Sequence, residues 1–301
     1  MTADGARMQG ATSETGWDPA LIIAAAVLWG TSGTAQALGP EAATPVLIAI
    51  IRVGLGGLVL LLTAAARGII TSPRRYLKPV FLLAGVAQAV FNASYFTGLS
   101  MTGVAIGTMI AVGSVPIFSG ALGILANREP GNARWYVATS MAVVGVALMS
   151  GGEGAARVEP LGVFFSLVAG FSYSFFTFLS GRLVRSHAPD ALIGVSFMVA
   201  TVILLPFAAR VPVGWAATPG GAGLVLYMGL VSSAFAYMLY GRGLRTVLLS
   251  RVGTLTLAEP LTGSLLGVFL LREPITLPIG IGIVLVFLAQ VLIVARRRRR
   301  S

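Results

Sequence analysis

Apolar positions along this chain gather into long runs separated by short polar turns. A helix needs roughly 20 apolar residues to cross the hydrocarbon of a bilayer. Ten runs come close to that length, at 20–38, 45–66, 79–99, 103–126, 133–150, 160–180, 190–209, 220–240, 247–271 and 275–295. The connections are short, so successive helices are expected to run antiparallel and pack on one another. "AQA" at Ala35 to Ala37 resembles a signal-peptide cleavage site. A signal peptide, however, wants a positive leading segment. Here Arg7 is opposed by Asp4, Glu14 and Asp18, so the first run is read as a retained helix.

Composition agrees with lipid as the solvent. Of 301 residues, 56% are hydrophobic and 10% charged, against about 25% charged in soluble domains. Mean hydropathy is +0.89. Glycine (38) and proline (15) are plentiful, as membrane helices tolerate. There is no cysteine and a single histidine, His187, which removes disulfides, thiolate catalysis and cysteine metal sites from consideration.

The net charge of +11 is uneven, because five arginines form the run Arg296–Arg300. That run directly follows an apolar segment and reads as an anchor on anionic lipid rather than a nucleic-acid site. Cytoplasmic loops carry the excess of Lys and Arg. With the amino terminus inside, the inner loops hold Arg67, Arg74, Arg75, Lys78, Arg128, Arg134, Arg182, Arg185, Arg242, Arg245, Arg251 and the terminal run, sixteen in all. The outer loops hold Arg157, Arg210 and Arg272. Both termini are expected to be cytoplasmic. Lys78 is the only lysine, a bias associated with GC-rich bacterial genomes.

The chain also repeats itself. "ILANREPGNA" (124–133) and "VFLLREPITL" (268–277) share Arg-Glu-Pro at an offset of 144 residues. At that offset Pro116 falls on Pro260, Leu122-Gly123 on Leu266-Gly267, and Leu148 on Leu292. Paired prolines and a repeated turn at one offset indicate duplication. Each copy holds five spans. Five is odd, so the second copy enters the membrane inverted, a construction that places a substrate site between the repeats near mid-membrane. The expected architecture is an all-α integral membrane protein of ten transmembrane helices in two five-helix inverted repeats. Residues 1–18 form a cytoplasmic tail, 19–151 the first repeat, 159–295 the second, and 296–301 a basic cytoplasmic tail.

Three segments resemble a known family. "VLWGTSGTAQ" in the first span and "IAIIRVGLGGLVLL" in the second are similar to the opening segments of drug/metabolite transporters of the EamA type. "SRVGTLTLAEPLTGSLLGVFLLREPITLPIGIGIVLVFLAQVLI" resembles that family's second-repeat pattern of Leu-x-x-Glu-Pro, apolar helix, Arg/Glu turn and Gly-rich last span. The resemblance covers about residues 20–295. One departure is Val115, where the first repeat has no acid to match Glu259. The resemblance implies ten helices, cytoplasmic termini and export of small metabolites, often amino acids. "WGTSGTA" looks closest to bacterial amino-acid exporters, including the aromatic type.

Polar groups inside a membrane are costly unless they line a cavity or find partners. Gln88, Asn92 and Tyr95 share one face of the third span, and Ser233, Tyr237 and Tyr240 share the matching face of the eighth, at an offset of 145. Trp29, Ser32 and Gln36 share a face of the first. Trp29 maps at 144 onto Tyr173, which has Ser166, Gly170, Phe176 and Thr177 for neighbours. These are candidate lining residues of one chamber; interhelical bonding and interfacial tyrosines are the plainer alternative. Glu259 lies near mid-depth and could meet a substrate amine, carry a proton, or cap backbone freed by Pro260. Arg52, in the second span, could meet a carboxylate or helix-end carbonyls. Pro116 and Pro260 are candidate symmetric hinges. Gly-rich runs such as "GIGI" (280–283) and "VGLGGL" read as close helix contacts, not phosphate loops.

These features point to a secondary transporter exporting amino acids or related metabolites across a bacterial inner membrane. Multidrug export and nucleotide-sugar transport are alternatives on the same fold. The latter would want several basic residues within the spans, and Arg52 is the one found. An intramembrane enzyme is disfavoured, with no catalytic set and His187 in a loop. No loop is long enough to hold an ATPase. No cofactor or metal is expected. The expected partners are a small-molecule substrate and membrane lipid, with no nucleic acid, and a monomer suffices.

Overall fold

The computed structural model describes residues 17–70, 73–102, 104–129, 133–150, 159–209, 211–272 and 276–294. Among them there is helix and no strand. The spans are α1 (Asp18–Ala37), α2 (Pro45–Ala66), α3 (Pro79–Thr102), α4 (Val104–Asn127), α5 (Ala133–Ser150), α6 (Pro160–Leu183), α7 (Pro189–Ala208), α8 (Pro219–Gly243), α9 (Leu249–Phe269) and α10 (Leu277–Val294). Nine are long and apolar enough to cross a membrane, and α5 carries a shorter apolar stretch, Ala133–Leu148. Proline opens α2, α6, α7 and α8, where its fixed φ suits a helix start and its missing N–H costs nothing. Short 3₁₀ turns (Pro73–Leu77 and Gly214–Ala217) precede α3 and α8.

Two spans depart from a plain α-helix. In α8 the middle, Tyr227–Phe235, is π-helical. The ninth span, expected to be continuous over 247–271, is broken into α9a (Leu249–Leu255) and α9b (Ala258–Phe269). Pro260 has no N–H to offer the Thr256 carbonyl. That carbonyl accepts from the Glu259 N–H instead, at 3.0 Å, tightening the chain into a turn. The matching Pro116 leaves α4 unbroken. Symmetric weak points are therefore not what the structure has, and only the second repeat is interrupted.

Contacts between helix ends fix which ends share a membrane face. Glu129, just after α4, meets the start of α9a. Arg182 near the end of α6 bonds Asn127 at the end of α4. Arg134 at the start of α5 bonds the Leu292 carbonyl near the end of α10, and Arg251 in α9a bonds that of Ile293. Gly243 at the end of α8 abuts the Asp18 backbone at the start of α1. Arg67 after α2 pairs with Asp190 at the start of α7 at 3.2 Å. Arg75 before α3 bonds the Ser186 carbonyl after α6. The start of the first span and the end of the last thus lie on one face, here called the terminal face.

The helix contacts come in symmetry-related sets. α3 packs on α6 as α8 packs on α1, and α3 packs on α7 as α8 packs on α2. α4 lies on α6 as α9b lies on α1. α2 with α7, and α5 with α10, meet their own counterparts. Glycines permit the approaches: a methyl on Gly57 would lie 3.2 Å from the Gly194 carbonyl, and one on Gly145 would lie 2.8 Å from that of Gly282. Arg128 and Arg272 both adopt left-handed backbone, at φ 54° and 59°. The repeated Arg-Glu-Pro therefore begins each turn with the same uncommon conformation. Pro130, Glu273 and Pro274 lie outside the described residues.

On the terminal face His187 packs edge-on against Tyr76 and Phe81, with centroids 6.0 and 5.0 Å away. Burial pushes its imidazole below the ordinary histidine range, with Arg75 and Lys78 adding to the effect. A base with a lowered folded pKa binds protons more readily when unfolded. Stability should therefore fall as pH drops through about 6.5, the unperturbed value. The thermal midpoint should decline from pH 7.5 to 5.5, and His187→Phe should flatten that decline.

Candidate functional site

The middle of the bundle is aromatic. Trp29 of α1 contacts Tyr173 of α6 (centroids 6.3 Å) and Tyr237 and Tyr240 of α8 (4.8 and 5.1 Å). Trp29 and Tyr173 are duplicated positions, 144 residues apart, that meet across the repeat interface. Phe91 of α3 joins Tyr173 (5.3 Å) to Tyr95 (5.7 Å). Phe197 of α7 closes on Tyr237 at 4.6 Å, and Phe176 lies 6.4 Å from the same ring. Trp29, Tyr173 and Tyr237 are nearly buried and Tyr240 fully so, while Phe91 and Tyr95 are partly open.

Polar atoms are sparse within this cluster. Thr177 and Tyr240 share a hydroxyl hydrogen bond of 2.7 Å, and Tyr95 and Thr108 one of 3.0 Å. Three buried groups have no partner in hydrogen-bond geometry: Trp29 Nε1, Gln88 Oε1 and Tyr173 OH. Gln88 and Tyr173 lie beside the hydroxyls of Tyr237 and Tyr240 without meeting that geometry. Buried polar groups are normally bonded.

Two ionisable side chains flank the cluster from opposite repeats. Glu259 stands in the first turn of α9b, beside the break in the span. A helix start carries positive partial charge, so a carboxylate is favoured there. Arg52 lies on α2, and both residues are half-buried. They are close enough to interact electrostatically, and each also acts on Tyr95 and Tyr237. Among the described residues neither has a direct hydrogen-bond partner. A cationic and an anionic side chain thus lie near one aromatic cluster, beside the start of a half-helix. Broken helices of this kind form substrate sites in inverted-repeat transporters.

The comparisons agree with this architecture. The model of the EamA-like transporter family matches residues 17–151 and again 160–295. The chain belongs to the EamA-like transporter family. It is 37% identical over 282 residues to the uncharacterized transporter YwfM of Bacillus subtilis (strain 168), covering 93% of this chain and 94% of that protein. It is 23% identical to the uncharacterized inner membrane transporter YicL of Salmonella typhimurium, covering 93% and 96%. A crystal structure with 19% identity superposes with a TM-score of 0.79 over 91% of this chain and 95% of that one, a likeness of fold.

In this EamA-like transporter the sequence candidates separate into two groups. Ring contacts join Trp29, Tyr95, Tyr173, Phe176 and Tyr237 in the aromatic cluster, and Gln88 and Glu259 lie near it. Ser32 pairs with Ser232 at 2.6 Å, tying α1 to the π segment of α8. Asn92 donates back to the Gln88 carbonyl at 2.8 Å. Ser233 is buried against Gly56 in the α2–α8 seam. Ser32 and Ser233 thus serve contacts between helices, and Asn92 the backbone of its own helix. Gln36 sits in the last turn of α1, partly exposed. Of the two hinge candidates, Pro260 borders the break and Pro116 lies within continuous helix. Phe91 and Phe197 were not legible as chamber residues, because a phenylalanine in an apolar run carries no polar signal. Glu129, first read only as part of the repeated turn, accepts from the backbone of α9a in the other repeat.

Proposed function

We propose that this protein is a secondary transporter that exports amino acids, or small metabolites with the same zwitterionic head group, by alternating access between its two repeats. The observation that carries this reading is Arg52 and Glu259, from opposite repeats, lying near one aromatic cluster without direct hydrogen-bond partners among the described residues. A substrate carboxylate would engage the Arg52 guanidinium and its ammonium the Glu259 carboxylate. Trp29, Tyr173, Phe91 and Tyr237 would hold an apolar side chain. Because the two charges belong to different repeats, a bound zwitterion would bridge the halves that must move. The arginine-rich loops support a cytoplasmic terminal face, and release to the opposite face would then be export from a bacterial inner membrane.

The aromatic walls with one acid also suit a lipophilic cation, which is the multidrug alternative. Arg52 opposes it, since an unneutralised guanidinium would repel such a substrate. Purified protein in proteoliposomes, tested with a panel of labelled amino acids with and without a proton gradient, separates the readings. Saturable movement of amino acids with apolar side chains is expected. Movement of lipophilic cations and of no amino acid would overturn the substrate assignment.

A further inference from the structure

The two repeats have diverged where the carrier must close. On the terminal face, α9a packs on the end of α4. Glu129 accepts from the Leu249 and Ser250 N–H groups, both at 2.9 Å, and from Asn127 Nδ2 at 3.3 Å. Trp135 Nε1 donates to the Ser250 carbonyl at 2.7 Å. Thr139 and Thr254 pair at 3.2 Å. Arg182 bonds Asn127 Oδ1 and the Ala126 carbonyl, at 3.1 and 2.8 Å. A small cleft on this face is lined by Asn127, Thr177, Arg182 and Leu244. The Thr177–Tyr240 bond lies between that cleft and the aromatic chamber.

Inverted symmetry assigns each of these residues a counterpart on the opposite face, 144 positions away. Asn127 becomes Leu271, Trp135 becomes Ile279, Thr139 becomes Ile283, Thr254 becomes Ile110, and Arg182 becomes Leu38. Every one is apolar. Only Glu129 keeps its chemistry, as Glu273, which lies outside the described residues. The packing differs in the same sense. The counterpart of the α4–α9a contact would join the start of α4 to the end of α9b, and the described residues show no comparable packing there. The excess of arginine in cytoplasmic loops accounts for Arg182 but not for Trp135, Asn127 or the threonine pair.

We infer that the transporter has unequal gates: a polar lock centred on Glu129 seals the terminal face, its apolar counterpart seals the other face more weakly, and the empty carrier rests open opposite the termini. Glu129 is thus a positioning residue for transport, acting through the backbone of α9a rather than on substrate. This rests on the alternating-access reading but not on the identity of the substrate. Opening the terminal face requires these hydrogen bonds to break together. Substrate binding or another input must offset them, whereas the apolar gate opens without such a loss.

The chain has no cysteine, so introduced pairs can be spin-labelled cleanly. Ala126→Cys with Leu248→Cys reports the terminal gate, and Ser100→Cys with Leu270→Cys the opposite one. In liposomes without substrate, the first pair should give one short distance and the second a longer one. Glu129→Gln turns an acceptor oxygen into a donor facing an N–H. It should raise the ratio of open to closed terminal gate on the order of tenfold. Trp135→Phe should act in the same direction but less, and it guards against a Glu129 variant that fails to fold. Ile110→Thr with Ile283→Thr should lengthen the first distance and shorten the second. Distances unmoved by both lock variants, or a short opposite-gate distance in the parent, would overturn the inference. If the distances shift while no amino acid is carried, the gates stand and the substrate reading falls.

Discussion

Glu259→Gln and Arg52→Gln should each lower amino-acid transport at least tenfold, for different reasons that substrate analogues can separate. A hydrogen bond to a charged partner contributes about 1.5–3 kcal/mol, equivalent to roughly ten- to a hundredfold in binding. Without the Glu259 carboxylate, a free amino acid should lose its advantage over its deaminated acid. Without the Arg52 guanidinium, it should lose its advantage over its amide. Arg52→Lys should restore activity only in part, because an ammonium lacks the planar fork that matches a carboxylate. Initial rates in proteoliposomes, resolved into KM and maximal rate, make the test. Full activity in both glutamine variants would remove the charge pair from the substrate site.

Gly170→Val should be among the most damaging changes to folding. Gly170 of α6 faces α4, and a Cβ there would lie 2.6 Å from the Ala111 carbonyl, with the Ser114 side chain closer still. The carbonyl belongs to a helix backbone and cannot turn aside. Overpacking typically costs about 1–3 kcal/mol and sometimes more. Separating α6 from α4 would also disturb Tyr173 and Ser174 on the same helix. The expected result is loss of monodisperse protein in detergent, or a thermal midpoint lowered by many degrees. Gly181→Ala is the control, since a Cβ at that position meets nothing within 4 Å.

The helices and their duplication were legible because both leave signals along the chain. Lipid demands long apolar runs, and Pro116/Pro260 and Arg128/Arg272 are marks that composition alone does not produce. The broken ninth span was only half legible. Pro260 announces a lost hydrogen bond, yet Pro116 announces the same loss, and only one helix separates. At Pro116 the surrounding packing holds α4 together, with the Ser174 hydroxyl donating to the Val115 carbonyl at 3.3 Å. A proline thus gives the place of a weakness, while its neighbours decide the outcome.

The aromatic cluster was legible where residue type and helical face coincided, as for Trp29, Tyr95, Tyr173 and Tyr237. It was less so for small polar residues. Ser32, Asn92 and Ser233 satisfy nearby backbone or hydroxyl groups or fill a helix seam, roles the sequence cannot distinguish from lining a chamber. In the sequence Arg52 carried two readings and Glu259 three: a substrate amine, a proton, or a cap on backbone freed by Pro260. The proposed function assigns both to substrate, because opposite charges from separate repeats lie near one aromatic cluster. The unequal gates were hidden for another reason. They emerge only when the contacts of one face are compared with the residues that symmetry assigns to the other.

The central claim is that the chamber recognises a zwitterion, and the most direct measurement compares four forms of one substrate. In proteoliposomes, an apolar amino acid, its N-acetyl derivative, its carboxamide and its deaminated acid would compete against the labelled parent. The account predicts that only the free amino acid competes well, with each blocked or truncated form weaker by about tenfold or more. Equal competition by all four would contradict it.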